Sequence, residues 1–314
     1  MMTETSEFER RLQHVRSHGA RTNELESCLD SFHRMQGNPK VVNSINGVAN
    51  FYRRKSLLAW FDHQDAHNVI KMAWLSMVAK RASVQVTGVA AGRFTNKDML
   101  YCLLSNEKGL IHWMSQYLAS DFFEAKKKDV ACNDPSSSFF NWLQLKLAVQ
   151  GDWQHLVARA HYFLNNMPKK GVLARVDCQF YIALAQGDIG GMEEALAEMV
   201  SPKVHRIRGY ETTLAYEQGI ISTWGVMLSK VAWLHGYKVD INHPLIPSPW
   251  LPVTPLEAYD IELDEFKEVN MFEPFAPKKT YIISDLSQWS PRPLGEAPLS
   301  YVEACEISGV KPIR

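Results

Sequence analysis

The stretch that decides the fold is VQGDW at residues 149–153, which returns as AQGDI at residues 185–189. Each copy ends a run rich in Leu and Ala, and Gly187 follows Gly151 by 36 residues. Glycine readily adopts the positive φ that ends a helix, and an aspartate beside it is suited to cap the next helix. The pattern therefore predicts two successive helical hairpins, each with a Gly-Asp turn between its helices.

These two hairpins are expected to have the same kind of turn and to pack into one core. Gly151 and Gly187 should take the left-handed conformation, and Asp152 and Asp188 should cap the second helix of each hairpin. Three apolar pairs match across the offset: Leu156 with Met192, Ala160 with Leu196, and Phe163 with Met199. The period is close to the roughly 34 residues of tetratricopeptide repeats, which stack to bury a continuous core. We expect stacked antiparallel hairpins in a repeat-like helical bundle; the alternative is two unrelated hairpins with similar turns.

Helical periodicity extends through the N-terminal part of the chain. Ser6 and Glu9 have the spacing of a capping box, and Thr95 and Asp98 repeat that signal. Between residues 41 and 82 apolar side chains recur at steps of three and four, which is typical of helices. No useful period-2 alternation, which would indicate a strand, interrupts this pattern. The sequence thus predicts an all-α fold.

Proline marks a change in the C-terminal part. Of the 15 prolines, 11 lie between Pro244 and Pro312, a density that prevents long helices and favours an extended segment. The predicted organisation is a single helical domain over residues 1–243, with N-terminal helices over 1–130 and a hairpin core over 136–236, followed by a wrapping tail over 244–314.

Composition narrows the function classes. The chain has 314 residues with 34 basic and 34 acidic side chains, so net charge favours neither nucleic acid nor an anionic membrane. Five scattered cysteines, with no C-x-x-C pair, favour a reducing compartment. We find neither the apolar run of a signal peptide nor an apolar stretch of about 18 residues. We expect a cytoplasmic protein that contacts neither membrane nor nucleic acid directly.

The stretch FDHQDAH, residues 61–67, is the strongest candidate for a metal site. His63 and His67 are four residues apart, one turn of a helix, and two imidazoles at that spacing can chelate a divalent ion. The catalytic Glu of zinc hydrolases and a third ligand are missing, so a solvated helix face is favoured. Phosphate loops, nucleophile elbows and dinucleotide fingerprints are also absent from the sequence. We therefore expect no metal, no cofactor and no enzymatic activity.

Glu217 is the carboxylate most in need of explanation. It falls on the apolar side of a predicted helix, between Leu214 and Ile221, where a charge must be paired or neutralised. Arg206 and Arg208 lie just upstream and are the predicted partners. A buried ion pair that locks two helices is favoured over a catalytic carboxylate.

An acidic stretch over residues 257–273 is the candidate partner interface. Its carboxylates are Glu257, Asp260, Glu262, Asp264, Glu265, Glu268 and Glu273, against Lys267 as the one basic residue. Between them are Tyr259, Phe266, Met271 and Phe272, with Phe275 just beyond. Such a stretch would present a charged and aromatic surface to a basic partner and speed association. The alternative is a solvated linker.

Four stretches between residues 142 and 259 resemble the immunity 49 family of polymorphic-toxin systems. They are GDWQHLVARAHYFL, DCQFYIALAQGDIGGMEEAL, YEQGIISTWGVMLSKVAWLHGYKVDINHPLIP and PLEAY, with most weight on Glu217, Gly219, Gly236, Val239 and the HPLIP turn at residues 243–247. The resemblance implies a cytoplasmic, mostly helical protein that binds and blocks a cognate secreted toxin. It implies neither catalytic residues nor a cofactor.

We therefore expect an immunity protein that neutralises its toxin by stoichiometric occlusion. The toxin is expected to act in the cytosol, for example as a nuclease, because a basic cleft would complement the acidic stretch. Two other hypotheses stay open at this point. One is a helical-repeat adaptor that grips a peptide, and the other is a metal-dependent hydrolase built on His63 and His67. The oligomeric state is open.

Overall fold

The computed structural model describes residues 6–19, 23–87, 96–116, 138–167, 174–208 and 216–272. Within these ranges the chain forms twelve α-helices, two short 3-10 helices and no strand. The prediction of an all-α fold is therefore confirmed.

The first six helices precede the hairpin core: α1 Glu7–Gly19, α2 Glu24–Arg34, α3 Val41–Phe61, α4 Ala66–Thr87, α5 Asn96–Leu104 and α6 Lys108–Gln116. The other six are α7 Ser138–Gln150, α8 Trp153–Asn165, α9 Arg175–Gln186, α10 Ile189–Met199, α11 Pro202–Arg208 and α12 Thr223–Leu234. At the start of α1 the Ser6 hydroxyl accepts a hydrogen bond from the Glu9 amide at 3.1 Å, as a capping box requires.

The chain divides into two compact units that are discontinuous in sequence. The first comprises Met1–Met114, Arg206–Lys230 and Asn242–Pro274, and the second comprises Ser115–His205, Val231–Ile241 and Phe275–Arg314. These units cut across the predicted division into a helical domain and a tail, and that division stays a prediction.

The first unit is built around the long helices α3 and α4. They pack along each other, α1 and α2 pack on α3, and α5 packs on α4. The turn between α3 and α4 reverses the chain through Gln64, whose φ is 52°. Asp65 then caps α4, because its carboxylate accepts a hydrogen bond from the Asn68 amide at 3.0 Å.

The second unit contains the predicted stack of hairpins. Helix α7 packs on α8, α8 on α9, and α9 on α10. The side chains matched across the 36-residue offset are all buried: Leu156, Ala160, Phe163, Met192, Leu196 and Met199. The antiparallel hairpins therefore share a core of corresponding positions, as the repeat pattern predicts.

Both Gly-Asp turns have the same geometry. Gly151 and Gly187 have φ values of 72° and 69°, in the left-handed region. Asp152 and Asp188 each donate a backbone hydrogen bond to the carbonyl five residues earlier, at 3.0 and 2.9 Å. Each carboxylate also accepts from the amide three residues later, at 3.3 and 3.0 Å. One aspartate thus ends the hydrogen bonding of one helix and begins that of the next.

A single segment, residues 235–241, contacts both turns within the second unit. The Nε2 atom of His235 lies 2.7 Å from the carbonyl oxygen of Ala148, and its ring packs on Trp153 with centroids 4.6 Å apart. Two residues later, the Tyr237 hydroxyl lies at the second turn, 3.2 Å from where a Cβ on Gly187 would be. The repeated turns therefore offer two equivalent docking points to one stretch of chain.

Residues 244–272, which we call the strap, contain no α-helix. Only Ser248–Trp250 and Asp264–Phe266 form 3-10 turns, so this part of the proline-rich segment lacks long helices, as predicted. Trp250 packs on Trp60 and Phe61, with ring centroids 6.1 and 6.3 Å away. The strap therefore lies against the first unit by burying aromatic side chains. Residues 273–314 lie outside the described residues.

Candidate functional site

The strap carries six of the seven acidic residues predicted to bind a partner, and it is anchored on both sides of them. Phe266 is buried against Phe32, with ring centroids 5.9 Å apart, and Leu251 and Met271 are also buried. In between, the indole nitrogen of Trp74 donates a hydrogen bond to the carbonyl oxygen of Asp260 at 3.1 Å. These contacts hold the carboxylates at defined positions, which a solvated linker would not do.

Three of the strap carboxylates pair with basic side chains. Glu262 pairs with Lys71 of α4, Glu265 with His33 of α2 at 3.1 Å, and Asp264 with the neighbouring Lys267 at 2.6 Å. The first two pairs tie the strap to the helices of the first unit. The side chains of Lys71 and Glu262 are 40% and 44% exposed, so their pair contributes at most about 1 kcal/mol, whereas Glu265 is only 18% exposed.

The other three carboxylates are exposed and lack such a partner. Glu257, Asp260 and Glu268 point to solvent, and no ion pair joins their side chains to a cation of the described ranges. The strap therefore presents a net negative surface on a fixed backbone. Glu273 lies outside the described residues.

The aromatic part of the predicted surface is largely wrong. Phe266 and Met271 are buried, and the half-buried Tyr259 packs on Trp74 with ring centroids 5.1 Å apart. These side chains anchor the strap because their burial stabilises it against the helices. Phe272 is the exception, with 48% of its surface exposed. Phe275 lies outside the described residues.

Glu217 is buried as predicted, but its surroundings differ from the prediction. It lies in a turn and not on a helix, since Gly219 has a φ of 79° and α12 begins only at Thr223. Its carboxylate accepts a hydrogen bond from the hydroxyl of Tyr101, on α5. Arg208, one of the two predicted partners, instead lies over the ring of Trp224, 5.0 Å from its centroid.

Two consecutive arginines of α3 organise the surroundings of Glu217. Arg53 forms a buried ion pair with Asp98, and its guanidinium lies over the ring of Tyr101, 5.3 Å from the centroid. Arg54 donates a hydrogen bond to the Tyr216 hydroxyl at 2.7 Å and pairs with Glu24. Arg54 therefore binds Tyr216 directly, whereas Arg53 packs on Tyr101, whose hydroxyl binds Glu217.

The protonation states in this network follow from burial and charge. Burial raises the pKa of the Tyr101 phenol, and the nearby Glu217 carboxylate raises it further. Burial by itself would lower the pKa of Arg53, but Asp98, Tyr101 and Glu217 outweigh that effect and raise it. Tyr101 thus stays protonated to donate to Glu217, and Arg53 stays charged. The arrangement suits a structural network that fixes the 216–217 turn.

The predicted helical spacing of His63 and His67 is wrong. Helix α3 ends at Phe61 and α4 begins at Ala66, so the two histidines lie on either side of a helix break. Asp62 pairs with Arg16, and both histidines are exposed. Throughout the described ranges, no group of three or more His, Cys, Asp or Glu side chains is placed to hold a metal ion.

Sequence reasoning missed the residues that connect distant parts of the first unit. Asp98 was assigned to a helix cap with Thr95, which lies outside the described residues, but its side chain pairs with Arg53. Lys230 and Asn106 are both buried and hydrogen-bonded to each other. Charged residues on apolar helix faces, such as the adjacent arginines of α3, indicate in the sequence that a charge is buried. They do not indicate which distant residue pairs with that charge.

Comparison with known proteins finds no matching family model, curated protein or solved structure. The resemblance to the immunity 49 family is therefore an expectation from the sequence. Among the described helices, none combines the length and the apolar character needed to cross a membrane.

Proposed function

We propose that this chain is an immunity protein that binds a cognate secreted toxin and blocks it by stoichiometric occlusion. One observation carries the proposal: the strap holds Glu257, Asp260 and Glu268 exposed and without cationic partners on an anchored backbone. The immunity 49 resemblance supplies the class of partner. The protein is expected to meet that toxin in the cytosol, without a cofactor.

The partner surface expected from this chemistry is basic. A negative surface held in place accelerates encounter with a positive one, and it loses little backbone entropy on binding because the strap backbone is already anchored. A nuclease must be basic where it holds phosphates. Occlusion of such a cleft by the strap would prevent the toxin from binding nucleic acid, and the immunity protein would need no catalytic residue.

The test is charge reversal on the strap. The variant E257K/D260K/E268K changes the three unpaired carboxylates, and E26K/D30K/E194K makes the same change in charge at exposed sites elsewhere. Each is measured by association kinetics with the toxin encoded beside this gene, and by survival when the two are co-expressed. The strap variant should associate at least about tenfold more slowly at low salt.

The control variant decides how the result is interpreted. If it associates like the wild type while the strap variant is slow and fails to protect, the effect belongs to the strap and not to net charge. If the strap variant binds and protects like the wild type, the strap is not the interface. If the wild type neither binds nor protects, the immunity function itself is rejected.

A helical-repeat adaptor is the second candidate, because the stack α7 to α10 resembles the arrays that grip peptides. A pull-down distinguishes the two functions. An immunity protein should capture one partner, encoded beside it, whereas an adaptor should capture components of a host complex and leave the toxin unbound.

A further inference from the structure

A buried lysine contacts the strap from helix α12. Lys230 is 1% exposed, and its ammonium nitrogen donates hydrogen bonds to the side-chain oxygen of Asn106 and, at 3.1 Å, to the carbonyl oxygen of Pro252. No ion pair joins Lys230 to a carboxylate in the ranges that the structure describes. A buried lysine held only by neutral oxygens is unusual, because a charge in that position is costly.

The turn between α5 and α6 holds the same part of the strap. Asn106 is fully buried with a φ of 56°, and its amide nitrogen donates to the carbonyls of Pro252 at 3.2 Å and Thr254 at 2.9 Å. The hydroxyl of Tyr259 donates to the carbonyl of Ser105 at 2.8 Å. Hydrogen bonds from the α5–α6 turn thus hold strap residues 252–259, which include the start of the acidic part of the strap.

We propose that Lys230 and Asn106 form a pH-sensitive latch, which holds residues 252–259 against the first unit and loosens as Lys230 gains a proton. The number of hydrogen-bond acceptors around the Lys230 nitrogen favours its neutral form in the closed latch. A neutral amine has two hydrogens, which match its two acceptors, Asn106 and Pro252. An ammonium has a third hydrogen and a full charge, and this site offers neither an acceptor nor a counter-ion for them among the described residues.

The direction of the pH effect follows from linkage. Burial lowers the pKa of Lys230 from 10.5 to about 7, and release of the strap would expose the amine and restore its ordinary pKa. The released state therefore binds the proton more tightly, so the closed latch gains stability as pH rises above 7. The ratio of released to closed latch should fall about tenfold between pH 6 and pH 8.

Two other ionisable side chains, Glu107 and Tyr259, lie near the latch. The Glu107 carboxylate, next to Asn106, accepts hydrogen bonds from the amides of Gly109 and Leu110. Burial raises the pKa of the Tyr259 phenol, so this group stays neutral. Tyr259 therefore keeps the proton that it donates to the Ser105 carbonyl.

Two histidines that contact the strap must be separated from the latch. The Nε2 atom of His33 lies 3.1 Å from the Glu265 carboxylate, so His33 serves as a control position. His243 accepts a hydrogen bond from the Leu245 amide through Nδ1, so its protonation would loosen that turn. Burial lowers the pKa of His243, which moves this event toward acid pH. The test therefore compares variants at each pH.

The experiment is hydrogen exchange of the strap amides in the full chain, without any toxin. Wild type, K230M and the control H33Q are compared at pH 6, 7 and 8, so that the intrinsic pH dependence of exchange cancels in each ratio. The protection of residues 252–259 in wild type relative to K230M should rise about tenfold from pH 6 to pH 8. The protection of the same residues in H33Q relative to K230M should show the same rise.

A second measurement covers the case in which K230M does not fold. The ¹³Cε resonance of Lys230 in the wild type should titrate with a midpoint near 7. A midpoint near 10.5, or a protection ratio that does not change with pH, overturns the latch. Because neither measurement involves a partner, a negative result rejects the latch without bearing on the proposed immunity function. Failure to bind or neutralise a toxin would likewise leave the latch unaffected.

Discussion

The two units connect their helices in different ways. In the first unit, buried side-chain contacts join residues far apart in sequence: 45 positions separate Arg53 from Asp98, and 116 separate Tyr101 from Glu217. In the second, Asp152 and Asp188 cap helices through amides only three residues away. Loss of a partner in the first unit would leave a buried charge uncompensated, whereas a change at a turn of the second affects the adjoining helix ends and the segment 235–241 that packs on them.

The largest effect is expected from Asp98→Ala. This change leaves the guanidinium of Arg53 buried without its ion-pair partner, which typically costs about 3–5 kcal/mol. The free energy of unfolding in urea measures it. The control Asp62→Ala breaks a pair with Arg16 that is much more exposed, and it should cost about 1 kcal/mol or less. Equal costs for the two variants would show that burial adds nothing to the first pair.

An intermediate effect is expected at the second Gly-Asp turn. Gly187→Ala forces an alanine to a φ of 69° and places its Cβ 3.2 Å from the Tyr237 hydroxyl. Gly236→Ala has similar backbone strain, with a φ of 88°, but nothing lies within 4 Å of the new Cβ. Strain alone should cost about 1–2 kcal/mol at Gly236.

The difference between these two alanine variants isolates the contact with residues 235–241. We expect Gly187→Ala to cost about 1 kcal/mol more, because Tyr237 must move. Urea unfolding followed by circular dichroism measures both. If the two variants cost the same, Tyr237 yields freely and the docking of this segment on the second turn contributes no stability.

The smallest effect is expected from Glu262→Gln, which removes the exposed ion pair with Lys71. Both side chains are about 40% exposed or more, so the loss should be below about 1 kcal/mol and should shrink at high salt. Thermal unfolding at low and high salt measures it. A larger loss would mean that this pair, and not the buried aromatic residues, holds the strap in place.

The contrast between local and distant contacts also explains what the sequence revealed. Gly151 and Asp152 are adjacent, and both of their structural roles involve residues within five positions, so a short pattern contained the full signal. The repetition at Gly187 and Asp188 then predicted the stack. The all-α class followed from the same kind of local periodicity.

The surroundings of Glu217 required information that local patterns lack. Apolar residues on both sides of Glu217 suggest a helix, but Gly219 adopts the left-handed conformation, which a continuous α-helix does not allow. Its hydrogen-bond donor, Tyr101, lies on another helix more than 100 positions earlier. The choice of the nearby arginines as partners relied on proximity in sequence, which does not determine proximity in the fold.

The structure of the strap could be predicted from the sequence only in part. Proline density correctly predicted that residues 244–272 contain no long helix, because proline restricts the local backbone. The direction of each side chain depends on the surface that receives it, and the receiving residues Phe32 and Trp74 lie on α2 and α4. The acidic residues were therefore found, while the orientation of the aromatic residues between them was not.

The dual role of the turn aspartates has a consequence for how this protein can change over evolution. Each connection between paired helices is two residues long, and both residues have required conformations. One residue inserted into such a connection would separate the glycine from the helix that it ends or the aspartate from the helix that it caps. Relatives of this chain should therefore keep the lengths of these two connections fixed and vary in length elsewhere, and an alignment of such relatives would show a gap-free block through each Gly-Asp pair.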